Sequence, residues 1–276
     1  QKEYIFALLK KLFELINDDG TNNIENKFVD WSSCDTPAAE SGVHAMLHIA
    51  MTTGSELCEI LGNEELSKEC IRNLETLKNY HPDYAGNKQM AGLLAYSGAE
   101  DINKIMAFLK KEPLSGLSTF LGFYVLNTYA MAGEIDGALN IIENYWGRMF
   151  DFGATSFWED FDLEWTKNAY GIDELPKDGK SDIHGDNGKF CYHGFRHSLC
   201  HGWSGGPTAF LSRYVLGVEV LEPGCRKVKV APMLGKLKFV RGKYPTPYGE
   251  IEIEHKRIGS EIVTTVKAPE GVEIVK

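Results

Sequence analysis

Residues 151–165 combine aromatic rings and carboxylates at a density that is unusual for a solvated loop. Rings stack on the apolar face of a pyranose, while carboxylates accept its hydroxyl groups or move its protons. The segment therefore favours a sugar-binding cleft with hydrolytic chemistry. The alternative is a buried aromatic turn with solvated acids beside it. The residues concerned are Phe152, Phe157, Trp158, Phe161 and Trp165, with Asp151, Glu159, Asp160, Asp162 and Glu164.

The first two thirds of the chain, which must position these side chains, carry hydrophobic residues at helical spacing. Helices are predicted over 1–16, from Thr36-Pro37 to Gly62, near 63–79, 87–97, 101–111, 115–132 and 134–147, and after His201 as far as Gly217. Short connections between successive helices indicate antiparallel helical hairpins. The Gly- and Asp-rich residues 171–189 are expected to form an ordered loop over the site or a mobile lid.

The hydrophobic period changes from helical spacing to strict alternation near Val218. Segments such as Lys227-Val-Lys-Val230 and Glu250-Ile-Glu-Ile-Glu254 alternate apolar and polar residues between Gly and Pro turns. This pattern predicts four or five short strands in a small antiparallel β domain.

Composition excludes several classes of partner. The chain has 276 residues, of which 43% are hydrophobic, and a formal net charge of −10. A chain of this size forms one large domain, or one with a small companion. The acidic balance argues against nucleic acid and anionic membrane and favours a neutral substrate, and no run approaches the roughly 18 apolar residues of a membrane span.

The six cysteines are scattered and show no Cys-x-x-Cys spacing, so reduced thiols and no structural zinc site are expected. His193, His197 and His201 stand four apart, which on one continuous helix would place three imidazoles together as metal ligands. Gly194 and the polar residues after it argue against such a helix, so no metal and no cofactor is predicted. His44 and His48 share this spacing and are expected to face the helical interior or a neighbouring helix.

Several motifs together resemble glycoside hydrolase family 78, the α-L-rhamnosidases. They are Gly153-Ala-Thr-Ser-Phe-Trp-Glu159, Ser198-Leu-Cys-His-Gly-Trp-Ser-Gly-Gly-Pro207, Tyr214-Val-Leu-Gly217, Asp30-Trp31, Gln89, Gly116-Leu-Ser-Thr-Phe-Leu-Gly122, Pro223-Gly224, Ala231-Pro232 and Thr246-Pro-Tyr-Gly249. The resemblance extends over nearly the whole chain, and the order and spacing of the motifs carry it.

The resemblance implies a mainly α fold. Residues 1–217 would form part of an (α/α)6 barrel, in which hairpins close into a toroid, and 218–276 would form a C-terminal β-sandwich domain. The family barrel has about twelve helices and this sequence predicts eight, which implies that the first third is missing. The family's general acid lies in that part. Glu3 and Glu14 resemble no acid motif and fit a solvated helix face.

Glu159 matches the family's general base. An inverting glycosidase needs one carboxylate to deprotonate water opposite the leaving group, with its acid partner roughly 6.5–9.5 Å away. The alternative is that Glu159 caps a turn or pairs with a cation, and Asp160 or Asp162 would then be second choices for the base. If the acid lies within the chain after all, Glu40 or Asp35 beside Trp31 is the first place to look.

The expected sugar-binding residues are Asp30, Trp31, Trp158, Trp165, His201 and Trp203. Rhamnose carries an apolar methyl group, which suits contact with an aromatic ring. A role in the core is the alternative for each tryptophan. His201 matches the family's sugar-binding histidine.

The resemblance implies an α-L-rhamnosidase that cleaves terminal rhamnosides with inversion, although this stretch alone would be nearly inert without its acid. A small rhamnoside is the expected partner, together with self-association through the open barrel edge. The cytoplasm and the periplasm of a bacterium are both compatible locations. The competing functions are a non-catalytic helical scaffold that binds carbohydrate or protein, and another (α/α)6 enzyme such as a different glycosidase or a lyase.

Overall fold

The computed structural model describes residues 1–188 and 197–275, and its first part is built from α-helices. The helices are α1 Lys2–Phe13, α2 Ala38–Ile60, α3 Glu64–Leu77, α4 Lys88–Ser97, α5 Ile102–Leu109, α6 Gly122–Met131, α7 Ile135–Ile141 and α8 Gly206–Phe210. Side chains at the N-caps fix where several of them begin. Asn63, Asn87 and Asp101 each accept a hydrogen bond from the first turn of the helix that follows.

Alternate helices form a continuous row. Helix α2 packs against α4, α4 against α6, and α6 against α8, while α3, α5 and α7 each pack back against the helix before them. The chain therefore runs as consecutive helical hairpins, and the mainly α fold predicted from the sequence is confirmed. Among the described residues, no helix is both long and apolar enough to cross a bilayer.

Two helices differ from their predicted extent. Helix α6 begins at Gly122 rather than near 115, because residues 113–121 form turns in which Gly116 takes a left-handed φ of 66°. Helix α7 does not end near 147; it continues through a wider π turn, Ile142–Trp146, into the 3-10 turn Gly147–Phe152. The turns before α6 and the chain after α7 contain residues of the candidate active site.

Close backbone contact joins the helices of the row. A Cβ added to Gly92 in α4 would lie 3.0–3.2 Å from side-chain and main-chain atoms of Val125 in α6. The Thr128 hydroxyl of α6 also donates to the Gly92 carbonyl at 2.9 Å. Glycine is needed here because any side chain would push the two helices apart.

Most aromatic rings of residues 151–165 lie in the core rather than at the surface. Trp158, Phe161 and Trp165 belong to the largest buried cluster, with Tyr145 and Phe210. The Tyr145 hydroxyl donates to the Phe161 carbonyl at 2.6 Å. Burial raises the pKa of that phenol well above its ordinary value.

Beyond Val218 the chain forms strands in two three-stranded sheets. One has the order β3 (Val218–Val220), β4 (Lys227–Val230), β8 (Glu273–Val275), and the other has β5 (Phe239–Thr246), β6 (Gly249–Ile258), β7 (Glu261–Lys267). All pairs are antiparallel except β4 with β8. Two short strands, β1 (Ala169–Tyr170) and β2 (Ser181–Asp182), pair in parallel within the preceding loop.

The strands are fastened to the helices by specific contacts. His255 of β6 is fully buried, and its Nε2 donates to the Leu216 carbonyl at 3.0 Å, while its Nδ1 contacts the Thr264 hydroxyl at 2.9 Å. The main-chain N–H of Lys236 donates a hydrogen bond to Asp136 in α7, and its ammonium donates one to Glu143 in the π turn that follows α7. The boundary between domains at 217/218 stays a prediction.

Replacing Gly92 by alanine should destabilise the chain by about 1–3 kcal/mol, because the new methyl group must displace the backbone of α6. Gly147→Ala is the matched control, since a Cβ there meets only the Ile142 carbonyl at an ordinary 3.5 Å. Urea unfolding of both variants measures the difference. Equal stability of the two variants would contradict the close packing.

Acid should destabilise the α2–α3 hairpin through two buried histidines. His44 and His48 have their rings 4.8 Å apart, and burial lowers the pKa of each from 6.5 to about 4. Since the folded-state pKa lies below the unfolded one, stability should be complete above about pH 6.5 and fall as pH drops toward 4.

His44→Leu tests this prediction, because neither His44 ring nitrogen has a hydrogen-bond partner among the described residues. The variant should be at least as stable as the wild type at neutral pH and lose less stability between pH 6.5 and 4. Thr53→Leu, at an exposed position of the same helix, serves as the control that keeps the slope. Melting temperatures across the pH range measure both, and an unchanged slope in His44→Leu would refute the assignment.

Candidate active site

A small cavity of about 30 Å³ lies where the segments preceding α2, α6 and α8 meet. Three carboxylic acids singled out from the sequence lie at this cavity: Asp30, Glu159 and the second-choice base Asp160. Its lining consists of Asp30, Trp31, Ser32, Ser118, Thr119, Phe120, Glu159, Asp160 and Trp203.

Glu159 is held at both its backbone and its carboxylate. Its N–H donates to the Ser198 carbonyl at 2.8 Å, and its Oε2 accepts from the Ser198 N–H at 2.7 Å. Its carbonyl accepts from the Thr119 hydroxyl at 2.5 Å and from the Trp203 indole at 2.8 Å. The side chain keeps 15% exposure. These contacts fix one carboxylate oxygen and leave Oε1 without a hydrogen bond to any described residue.

His201 and Trp203 form one side of the site. His201 Nδ1 lies 3.7 Å from Glu159 Oε2, and its ring is 4.5 Å from that of Trp203. Trp203 in turn stacks on Phe120, with ring centroids 5.1 Å apart and planes within 14°. A half-exposed imidazole beside an aromatic wall can donate to a sugar hydroxyl while the ring faces cover the apolar face of a pyranose.

Asp30 is a buried carboxylate at the opposite wall, with 7% exposure. Its Oδ1 accepts from the Trp31 N–H at 2.8 Å, and its Oδ2 accepts from the hydroxyls of Ser32 and Ser118, both at 3.2 Å. Burial raises the pKa of Asp30, and the hydrogen bonds offset part of that rise. The group is thus a fixed acceptor that faces the cavity.

The tryptophans predicted for the site separate into two groups. Trp31 and Trp203 line the cavity, and Trp31 packs edge-on against Phe28 at 5.0 Å. Trp158 and Trp165 lie in the core with 1% and 7% exposure, so neither ring offers a face to a ligand in this chain. Both tryptophans thus occupy core positions, which was the alternative to a sugar-binding role.

The three histidines whose spacing was weighed for metal binding lie only in part among the described residues. His193 lies outside the described residues, while His197 is buried with its ring 4.1 Å from that of His184. In the described part of the chain, no group of three or more His, Cys, Asp or Glu side chains is arranged to hold a metal ion.

Sequence reasoning did not single out Ser118, Thr119 or Ser198, which hold Asp30 and Glu159. Ser118 and Thr119 fall within the motif 116–122, but nothing in their spacing shows that they reach residues 88 and 40 positions away. It also missed a second cleft of about 400 Å³, which shares Ser32, Ser118 and Asp160 with the cavity.

Comparisons with known proteins agree on one family. A family model for the bacterial alpha-L-rhamnosidase C-terminal domain matches residues 217–275. The rhamnosidase of family GH78 from Bacillus sp. GL1 superposes with a TM-score of 0.74 at 20% identity, over 98% of this chain and 30% of that one. The fold is that of the C-terminal part of a family 78 α-L-rhamnosidase.

Other rhamnosidases give similar superpositions. The enzyme from Dictyoglumus thermophilum has a TM-score of 0.68 at 18% identity, over 99% of this chain and 30% of that one. A Streptomyces avermitilis enzyme complexed with L-rhamnose has a TM-score of 0.68 at 13% identity, over 98% and 26% of the respective chains. No curated protein matches the chain in sequence. The chain thus spans about a third of these rhamnosidases or less, and the resemblance inferred from its motifs is confirmed.

Replacing Asp30 by asparagine should leave the fold intact and raise its stability at neutral pH by about 0.5–2 kcal/mol, the range typical of single stabilising substitutions. The raised pKa of Asp30 means that ionisation opposes folding, so stability should fall as pH rises through that pKa. Asparagine does not ionise, so the variant should not show this pH-dependent loss of stability. Denaturant unfolding of wild type and variant between pH 4 and 8 measures the difference in stability. A variant that is less stable than the wild type throughout this range would contradict the prediction.

Proposed function

We propose that this chain carries the general-base side of an inverting α-L-rhamnosidase active site. The observation that carries the proposal is the placement of Glu159, whose Oε2 is fixed by Ser198 while its carboxylate borders a cavity with an aromatic wall. A base needs this combination of a fixed side chain and access to water.

In the proposed reaction, a water molecule lies between Glu159 and the anomeric carbon. Glu159 takes a proton from the water as its oxygen bonds to that carbon, and the bond from the carbon to the leaving oxygen breaks. The leaving oxygen receives its proton from a general acid outside this chain. Attack from the face opposite the leaving group inverts the anomeric configuration.

The sugar contacts follow from the same geometry. Asp30 would accept a ring hydroxyl, His201 would donate to another, and Trp31 and Trp203 would cover the apolar face and the methyl group. The family likeness supports a rhamnoside as the substrate class. Residues 1–217 would form the partial barrel and 218–276 the sandwich domain beside it.

The proposed open edge of the barrel is the N-terminal helix. Tyr4 and Leu8 of α1 are exposed there, although most of the other exposed side chains of that helix are charged. Apolar side chains at such an edge support packing against further helices, or self-association when these are absent.

Glu159→Gln in the intact protein should lower kcat on α-L-rhamnosides by about 10²–10⁴-fold, because the water loses its base. Glu164→Gln is the matched control, an exposed acid five residues on whose partner is Lys167. Release of β-L-rhamnose as the first product, followed by NMR, tests the stereochemistry. Wild-type turnover in Glu159→Gln would refute the base assignment.

Residues 1–276 alone should be nearly inert on natural rhamnosides, and any remaining activity should be highest on aryl rhamnosides, whose leaving groups need little protonation. Full activity of the isolated chain would place the acid within it, whereas sugar binding without turnover in the intact protein would favour the non-catalytic alternative.

A further inference from the structure

The second cleft, of about 400 Å³, continues from the cavity that holds Glu159. The two share Ser32, Ser118 and Asp160, so a molecule bound in one can extend into the other. The volume is within the range of small-molecule sites and far larger than the cavity. The cleft lies between the start of α4 and the turns before α6, and Lys88, Phe108, Glu112 and Asp162 line it.

Lys88 is the unusual residue of this cleft. It is the first residue of α4 and only 8% exposed. Its ammonium donates to the Glu112 carbonyl, and it forms no ion pair with any carboxylate of the described residues. Burial lowers the pKa of Lys88, which the charge of Glu112 partly offsets.

Two physical effects oppose a lysine at this position. A buried cation without a counter-ion loses hydration that one carbonyl replaces only in part. The first turn of a helix also carries the positive end of the helix dipole, which disfavours a cation. Packing of the lysine stem does not explain the residue, since a stem that covers apolar surface normally lets its ammonium reach water. A methionine would fill the same volume without either cost.

We infer that the cleft is the subsite for the sugar unit that bears the terminal rhamnose, and that Lys88 donates a hydrogen bond to a hydroxyl oxygen of that unit. This inference rests on the proposed function. An ammonium has three N–H donors, and the Glu112 carbonyl uses one of them. A bound hydroxyl would therefore supply a second partner, in addition to the one that the described residues provide.

The cleft also offers an acceptor and an apolar face to a hexose. Glu112 lines the cleft, and its carboxylate can accept from a hydroxyl of the bound unit. The partly buried ring of Phe108 provides an apolar face for the same unit.

The test uses the intact protein and two substrates, an aryl α-L-rhamnoside and a rhamnosyl-glucose disaccharide. Lys88→Met should lower kcat/KM on the glucose disaccharide by about 10-fold or more, mainly through KM, since a hydrogen bond to a charged group is lost. Its effect on the aryl rhamnoside should stay within about twofold.

Two control variants separate this effect from a structural one. Lys88→Arg keeps a donor and should retain part of the activity on the disaccharide, while Lys110→Met removes an exposed lysine that pairs with Glu134 and should change none of the values. Thermal unfolding should show Lys88→Met to be at least as stable as the wild type. An equal loss on the aryl and disaccharide substrates, or no loss on the disaccharide, would overturn the inference.

The aryl rhamnoside distinguishes failure of the proposed function from failure of the proposed subsite. If the wild type does not hydrolyse it, the proposed activity is wrong, and the subsite is then tested by calorimetric titration with the glucose disaccharide. Binding that Lys88→Met weakens would support the subsite independently of catalysis. Absence of binding, or equal binding by both forms, would refute it.

Discussion

The close approach of α4 and α6 at Gly92 determines where the chemistry can occur. Helices that touch through backbone atoms are fixed in separation and in height, so the residues that precede their N-terminal ends are brought to common cavities. Three carboxylic acids, Asp30, Glu159 and Asp160, are thereby brought to one cavity from distant parts of the chain.

The carboxylate that we assign as base is positioned mainly by main-chain groups. Ser198 contributes its N–H and carbonyl to Glu159, and the carbonyl of Glu159 receives two side-chain donors. Main-chain donors are insensitive to the side chain that bears them, so this arrangement tolerates substitution around it. Asp30, in contrast, is a buried carboxyl whose pKa is raised by burial, and shifted carboxyls of this kind are frequent at functional sites.

Much of the fold could be predicted from the sequence because the helices have a marked hydrophobic period and three of them begin at a capping side chain, as at Asn63 and Asp101. The start of α6 could not, since the apolar residues of 115–121 have helical spacing but serve turns that face the site. Likewise, composition does not distinguish Trp158 from Trp203, because an apolar ring suits a core and a sugar-binding wall equally. The hydroxyl contacts of Thr119 and Ser118 depend on tertiary approach, and no local pattern encodes them. The recognised motifs located Glu159, but its hydrogen bonds became visible only in the structure.

The buried imidazole of His255 has a consequence for how the chain could evolve. It ties the central strand of a sheet to the carbonyl of Leu216, the residue that ends the turn after α8. Loss of the strands would leave that carbonyl and the apolar residues around it without partners. The β region is thus part of the support of the last helix, and it is not a module that recombination could exchange freely. Its sequence is constrained by the helices that it covers as well as by its own sheets.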